Sequence, residues 1–169
     1  YCEYVGDSAY PNSIELLHSY SNLVVTRTFS KAYGLAGLRV GYSISNPQIA
    51  DLLNRARGPF NVNSMALAAA IAVLADDDYL AKAIAVNNLG LKQLADGFRR
   101  LGINFIPSAG NFISFDAGSG APTLYQNLLQ AGVIVRPIGV YDMPSYLRVS
   151  VGLANENEKF LNALEQLIT

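Results

Sequence analysis

The chain has 169 residues, about half of them apolar, and a formal net charge of −1. That is enough chain for one domain or two small lobes around a packed core. No basic stripe or acidic run points to nucleic acid or a membrane surface as partner, and no apolar run approaches the roughly 20 residues that span a bilayer.

The single cysteine, Cys2, cannot form an internal disulfide, which fits a reducing, cytoplasmic setting. The start Tyr1-Cys2-Glu3-Tyr4 has no methionine and no secretory-signal pattern, and reads as cut from a longer protein. Residues 23–27 form a β-branched run and predict a buried strand; a second run over residues 38–45 predicts another. Asn46-Pro47 is an N-cap followed by proline at the first helical position, with the helix running to about Arg57. Residues 64–74 are rich in alanine and apolar nearly all round, which predicts a buried helix.

Asp76, Asp77 and Asp78 place negative charge where a helix start favours it. Leu80, Ile84, Leu91, Leu94, Phe98 and Leu101 then recur at helical spacing, so a long amphipathic helix should end near Gly102. Residues 105–106 and 111–116 read as strands, 122–130 as a helix stopped by Gly132, and 133–138 as a strand. Residues 146–151 alternate, with Tyr146, Arg148 and Ser150 on one face. The closing helix has Asn155 and Glu158 as its capping signal and an apolar stripe of Phe160, Leu164, Leu167 and Ile168. The organisation is α/β over residues 1–95, with a smaller α+β lobe over residues 96–169. His18, the only histidine, reads as a surface residue.

The most informative segment is Thr28-Phe29-Ser30-Lys31-Ala32-Tyr33-Gly34-Leu35-Ala36-Gly37-Leu38-Arg39. A strand delivers two hydroxyls and a lysine to a loop, and eight residues later an arginine opens the next strand. Ligands of α/β sheets sit beyond the carboxyl ends of strands. Hydroxyls and a guanidinium fork suit a phosphate dianion, and a lysine amine beside them suits condensation with an aldehyde. An aldehyde and a phosphate on one small molecule describe pyridoxal 5'-phosphate (PLP). A bare Ser-Lys pair is most often a solvated surface feature; the weight here lies in the composite order and spacing.

Residues 28–42 resemble the lysine segment of the class I and II aminotransferases of PLP fold type I, and within that class the histidinol-phosphate aminotransferases. Other segments agree. Arg57-Gly58-Pro59-Phe60-Asn61-Val62-Asn63 is similar to the stretch at that family's domain junction. Ala109-Gly110-Asn111-Phe112 resembles a strand of its small domain. Residues 133–137 and 146–152 resemble its two C-terminal strands.

The resemblance implies an α/β fold: the C-terminal part of a PLP fold type I large domain, followed by a small α+β domain. It implies Lys31 as the catalytic lysine that holds PLP. Thr28, Ser30 and Arg39 would bind the cofactor phosphate and Tyr1 its phenolic oxygen. Arg148 would clasp a substrate carboxylate, Arg136 a substrate phosphate, and Asn111 would lie near the substrate; no metal is implied. The reaction implied moves an amino group between L-histidinol phosphate and 2-oxoglutarate in histidine biosynthesis, so the partners are an amino donor and a 2-oxo acid. An aromatic-amino-acid aminotransferase, a threonine-phosphate decarboxylase and a non-catalytic module stay open. The family's N-terminal half is not in this chain. The chain by itself is therefore expected to be inactive and to leave strand edges unpaired, the full-length protein being the enzyme and a homodimer.

Overall fold

Valines 24 and 25 and threonines 26 and 28 favour extended backbone, and Val24–Thr28 forms the first strand, β1. It pairs antiparallel with β2, Gly41–Ser45, with Val24 opposite Ser45 and Thr28 opposite Gly41. The computed structural model describes residues 1–6 and 10–168. These fall into two units, Val5–Ala83 and Tyr1–Tyr4 with Ile84–Thr169.

In the Val5–Ala83 unit the strand expected over 38–45 is shorter, because Ala36–Leu38 forms a 3-10 turn and Arg39 is left-handed at φ +54°. Helix α1, Pro47–Ala56, starts as its sequence predicts: Asn46 Oδ1 accepts from the Ile49 amide at 2.9 Å and Pro47 occupies the first turn. Helix α2, Ser64–Leu74, is capped by Asn63, whose Oδ1 accepts from Ala66 N at 2.8 Å. The expected burial of α2 is corrected. Only Ala66 and Ala70 are buried, whereas Met65 and Ile71 are 74% and 72% exposed. The two alanines pack with Phe29 and Val40, and no second layer covers the opposite side among the described residues. β1 and β2 form a two-stranded sheet, so each keeps one edge without a ladder partner among those residues, as anticipated.

Helix α3, Asp77–Arg100, begins in this unit and ends in the other. Asp76 Oδ1 accepts from Tyr79 N at 2.9 Å and caps its start. Gly102, at φ +68°, turns the chain after its end.

The second unit holds a four-stranded antiparallel sheet of β3 (Phe105–Ile106), β4 (Phe112–Asp116), β5 (Arg136–Pro137) and β6 (Tyr146–Ser150), ordered β3-β4-β6-β5. Helices α4 (Ala121–Gln130) and α5 (Ala154–Ile168) complete it. Period-two alternation sorts the strand side chains. Ile113, Phe115, Leu147 and Val149 join Leu94 and Phe98 of α3, Leu128 of α4, and Phe160 and Leu164 of α5 in one core. The strand expected over 133–138 keeps its inward-facing Val133, Val135 and Ile138, all buried, but only Arg136–Pro137 pairs with β6. The start of α5 is held by Glu156, whose Oε2 accepts from Leu153 N at 2.7 Å, rather than by Asn155 and Glu158. Its stripe is buried at Phe160 and Leu164, while Leu167 and Ile168 stay exposed. No helix among the described residues is long and apolar enough to cross a membrane.

Candidate active site

The lysine loop lies between β1 and β2. Phe29 N donates to Val40 O at 3.2 Å, carrying the ladder one step past the Thr28–Gly41 pair. Phe29 and Val40 are both buried in the cluster with Ala66 and Ala70. Around these two anchors Thr28, Lys31 and Arg39 are exposed and Ser30 is half-buried. Thr28 Oγ1 accepts from Ser30 N at 3.1 Å, which ties the two hydroxyl-bearing residues together. Lys31 O accepts from Gly34 N at 2.9 Å, and Phe29 O accepts from Leu35 N at 2.9 Å. These bonds fold residues 31–35 into a tight turn.

Two residues in this loop carry a constrained backbone. Gly34 has φ +71°, and a Cβ there would run into the Tyr79 hydroxyl. Arg39 was expected to open β2. It instead precedes β2 in the left-handed region, unusual for a residue with a side chain. Its guanidinium donates to Ala36 O at 2.7 Å, so the side chain folds back along its own loop. Strain of this kind gathers at functional sites. Two hydroxyls, a guanidinium and an amine are thus displayed on one loop with an aromatic core behind it.

In the second unit the sheet presents a polar face. Arg148 stands opposite Ser114 on β4 and opposite Arg136 on β5. Residues directly paired across strands point to the same side, and like charges so placed repel. Neither arginine makes an ion pair among the described residues. The guanidinium of Arg148 lies 4.6 Å from the centre of the Phe112 ring. Tyr1 meets the same ring edge-on, with centroids 6.1 Å apart. Asn111 is half-buried beside Phe112, and its carbonyl accepts from Val151 N at 2.9 Å. This unit therefore holds Arg136 and Arg148 on the paired strands β5 and β6, Asn111 just before β4 and Tyr1 against Phe112, and the other gathers Thr28, Ser30, Lys31 and Arg39 around one loop. Phe112 was not singled out in the sequence; its place one residue after Asn111 was the available signal. His18 lies in an exposed 3-10 turn, as expected. No group of three His, Cys, Asp or Glu side chains that could hold a metal ion occurs among the described residues.

Residues 1–164 match the family model for aminotransferase class I and II, and the chain belongs to that family. It is 55% identical over 168 residues to histidinol-phosphate aminotransferase 2 of Pseudomonas fluorescens, covering 99% of this chain and 45% of that protein. The crystal structure of histidinol-phosphate aminotransferase from Sinorhizobium meliloti in complex with pyridoxal-5'-phosphate superposes with a TM-score of 0.91 at 33% identity, over 99% of this chain and 46% of that one. L-threonine-O-3-phosphate decarboxylase from Porphyromonas gingivalis shares the fold, with a TM-score of 0.84 at 24% identity, over 99% of this chain and 53% of that one. The chain thus spans about half the length, or less, of these relatives.

Proposed function

We propose that the polypeptide carrying this chain is a PLP-dependent aminotransferase that moves the amino group of L-histidinol phosphate to 2-oxoglutarate in histidine biosynthesis. The observation that carries the substrate assignment is the direct pairing of Arg136 with Arg148. Histidinol phosphate bears a phosphate ester where an amino acid bears its carboxylate. Two guanidiniums on one sheet face suit that dianion, and relieve their mutual repulsion by binding it. The α-carboxylate of 2-oxoglutarate or glutamate takes the same place in the other half-reaction.

The lysine loop fits the cofactor by its donor set. The hydroxyls of Thr28 and Ser30 and the exposed guanidinium of Arg39 suit a phosphate dianion, and the Lys31 amine suits the aldehyde of the same molecule. By the class resemblance, Tyr1 would donate to the cofactor's phenolic oxygen and Asn111 would border the substrate. When bound, PLP supplies an electron-accepting ring. With the cofactor in place, the Lys31 amine would serve as general base and then general acid for the substrate Cα proton. The reading includes a homodimer in the cytoplasm, on the strength of the class resemblance, with residues 1–95 in the cofactor-binding domain and residues 96–169 in the small domain.

The test is steady-state kinetics of Arg136→Ala in the full-length protein. Losing a charge-assisted hydrogen bond costs about 1.5–3 kcal/mol, so kcat/KM for histidinol phosphate should fall roughly 10- to 150-fold. The fall for 2-oxoglutarate should be smaller, since a carboxylate carries less charge. An unchanged kcat/KM for histidinol phosphate, beside turnover of an aromatic amino acid, would replace this substrate with a neutral aromatic donor.

A further inference from the structure

Among the described residues of the unit that contains residues 84–168, the buried polar side chains are those of two asparagines. Asn87 is 5% exposed and Asn157 is 2% exposed. Buried amides are costly unless their hydrogen bonds are made, and both are made to particular peptides. Asn87 Nδ2 donates to Gly110 O at 3.0 Å. Asn157 Oδ1 accepts from Gly152 N at 2.9 Å, while its Nδ2 donates to Gly152 O at 3.1 Å and to Gln93 Oε1 at 3.1 Å.

The bonded peptides are neighbours across the sheet. Gly110 precedes Asn111, Gly152 follows Val151, and Val151 N donates to Asn111 O. Gly90 follows Asn87 by one turn on α3, and its missing side chain leaves room for Val151 and for Asn157 of α5. One amide on α3 and one on α5 therefore fasten the point where β4 begins and β6 ends. Strand ends are where pairing is lost first. Inside that point lie Phe112 of β4, the residue after Asn111, and, three residues before Val151, Arg148 of β6, whose guanidinium lies over the Phe112 ring.

We propose that Asn87 and Asn157 are positioning residues for the anion clasp. By holding the Gly110 and Gly152 peptides they fix the placement of Asn111, Phe112 and Arg148, and so set affinity for the phosphate or carboxylate group of the substrates. The inference rests on reading Arg148 as the arginine that receives that group. The two asparagines touch no reacting atom. Their removal therefore weakens binding and leaves the chemical step nearly unchanged.

The experiment uses the full-length protein and compares Asn87→Leu, Asn157→Ser, Arg148→Lys and Leu128→Val. Leu128→Val is a core lesion on α4, away from these peptides. Asn87→Leu and Asn157→Ser should each raise KM for histidinol phosphate and 2-oxoglutarate about five- to tenfold, with kcat within about threefold. Leu128→Val should lower the melting temperature without moving either KM. Asn87→Gln, which keeps a donor, should recover part of the lost affinity. If Asn87→Leu does not fold, Asn87→Ser carries the same comparison. Unchanged KM values in both asparagine variants, beside a raised KM in Arg148→Lys, overturn the positioning role alone. An unchanged KM in Arg148→Lys overturns the reading of the clasp itself, and the positioning role falls with it.

Discussion

The guanidinium of Arg148 rests 4.6 Å from the centre of the Phe112 ring, on the face of the sheet turned away from the core. Ser150 is the residue directly opposite Phe112, so Arg148 reaches the ring along the diagonal, a distance that long side chains span. The ring gives the cation a favourable surface and limits its rotamers. Replacing Phe112 by Leu keeps apolar volume and removes the ring quadrupole. With a cation–π contact worth about 0.5–1 kcal/mol at such a site, KM for both substrates should rise roughly two- to fivefold. Steady-state kinetics of the full-length protein checks this. An unchanged KM would mean that Arg148 needs no aromatic support.

Gly34 closes the turn that follows Lys31, with φ +71°. An alanine there is strained by about 1–2 kcal/mol, and its Cβ also strikes the Tyr79 hydroxyl. Gly34→Ala should therefore shift the lysine loop and lower the fraction of protein that captures PLP, read from visible absorbance in a titration. Tyr79→Phe removes the clashing oxygen. Combined with Gly34→Ala it should restore part of the capture, because only the clash is relieved and the backbone strain remains. Additive effects of the two changes would show that the hydroxyl is not the obstacle.

Lys92 and Arg99 flank Asp96 on α3, at 2.5 Å and 2.8 Å. The hydrogen bond from Lys92 leads in holding the Asp96 carboxyl below the usual aspartate range. A depressed folded pKa stabilises the protein above the ordinary aspartate pKa, and that gain is lost as pH falls through the depressed value. The site is open to solvent, so the effect is small and screened by salt. Asp96→Asn should lower the melting temperature slightly at pH 7 in low salt, with the gap closing as the pH falls below the ordinary aspartate range and through the depressed value. A gap that stays constant with pH would show that the carboxylate charge contributes nothing.

Much of the fold was legible where local chemistry decides it. Asn46-Pro47 located the start of α1 because an amide cap and a fixed φ act within one turn. Gly132 marked the stop of α4, where it takes φ +71°. Failures came where distant partners decide. The all-round apolar pattern of α2 pointed to burial, yet Met65 and Ile71 are exposed, since burial needs a second packing layer that periodicity does not reveal. Residues 133–138 begin with a β-branched run that reads as a strand, but pairing depends on what β6 offers, and only Arg136 and Pro137 find partners. The lysine loop was recognisable from the order of Thr28, Ser30, Lys31 and Arg39, though not the left-handed turn at Arg39. The pairing of Arg136 with Arg148, and the asparagines fastening Gly110 and Gly152, depend on register and helix packing that no short motif encodes.

The role of Lys31 as the PLP-holding lysine is tested by loading the full-length protein with PLP, reducing it with borohydride and mapping the modified lysine by mass spectrometry. One adduct is expected, at Lys31, with Lys82, Lys92 and Lys159 unmodified. A stoichiometric adduct at any other lysine, or none at Lys31 in protein that binds PLP, would contradict it.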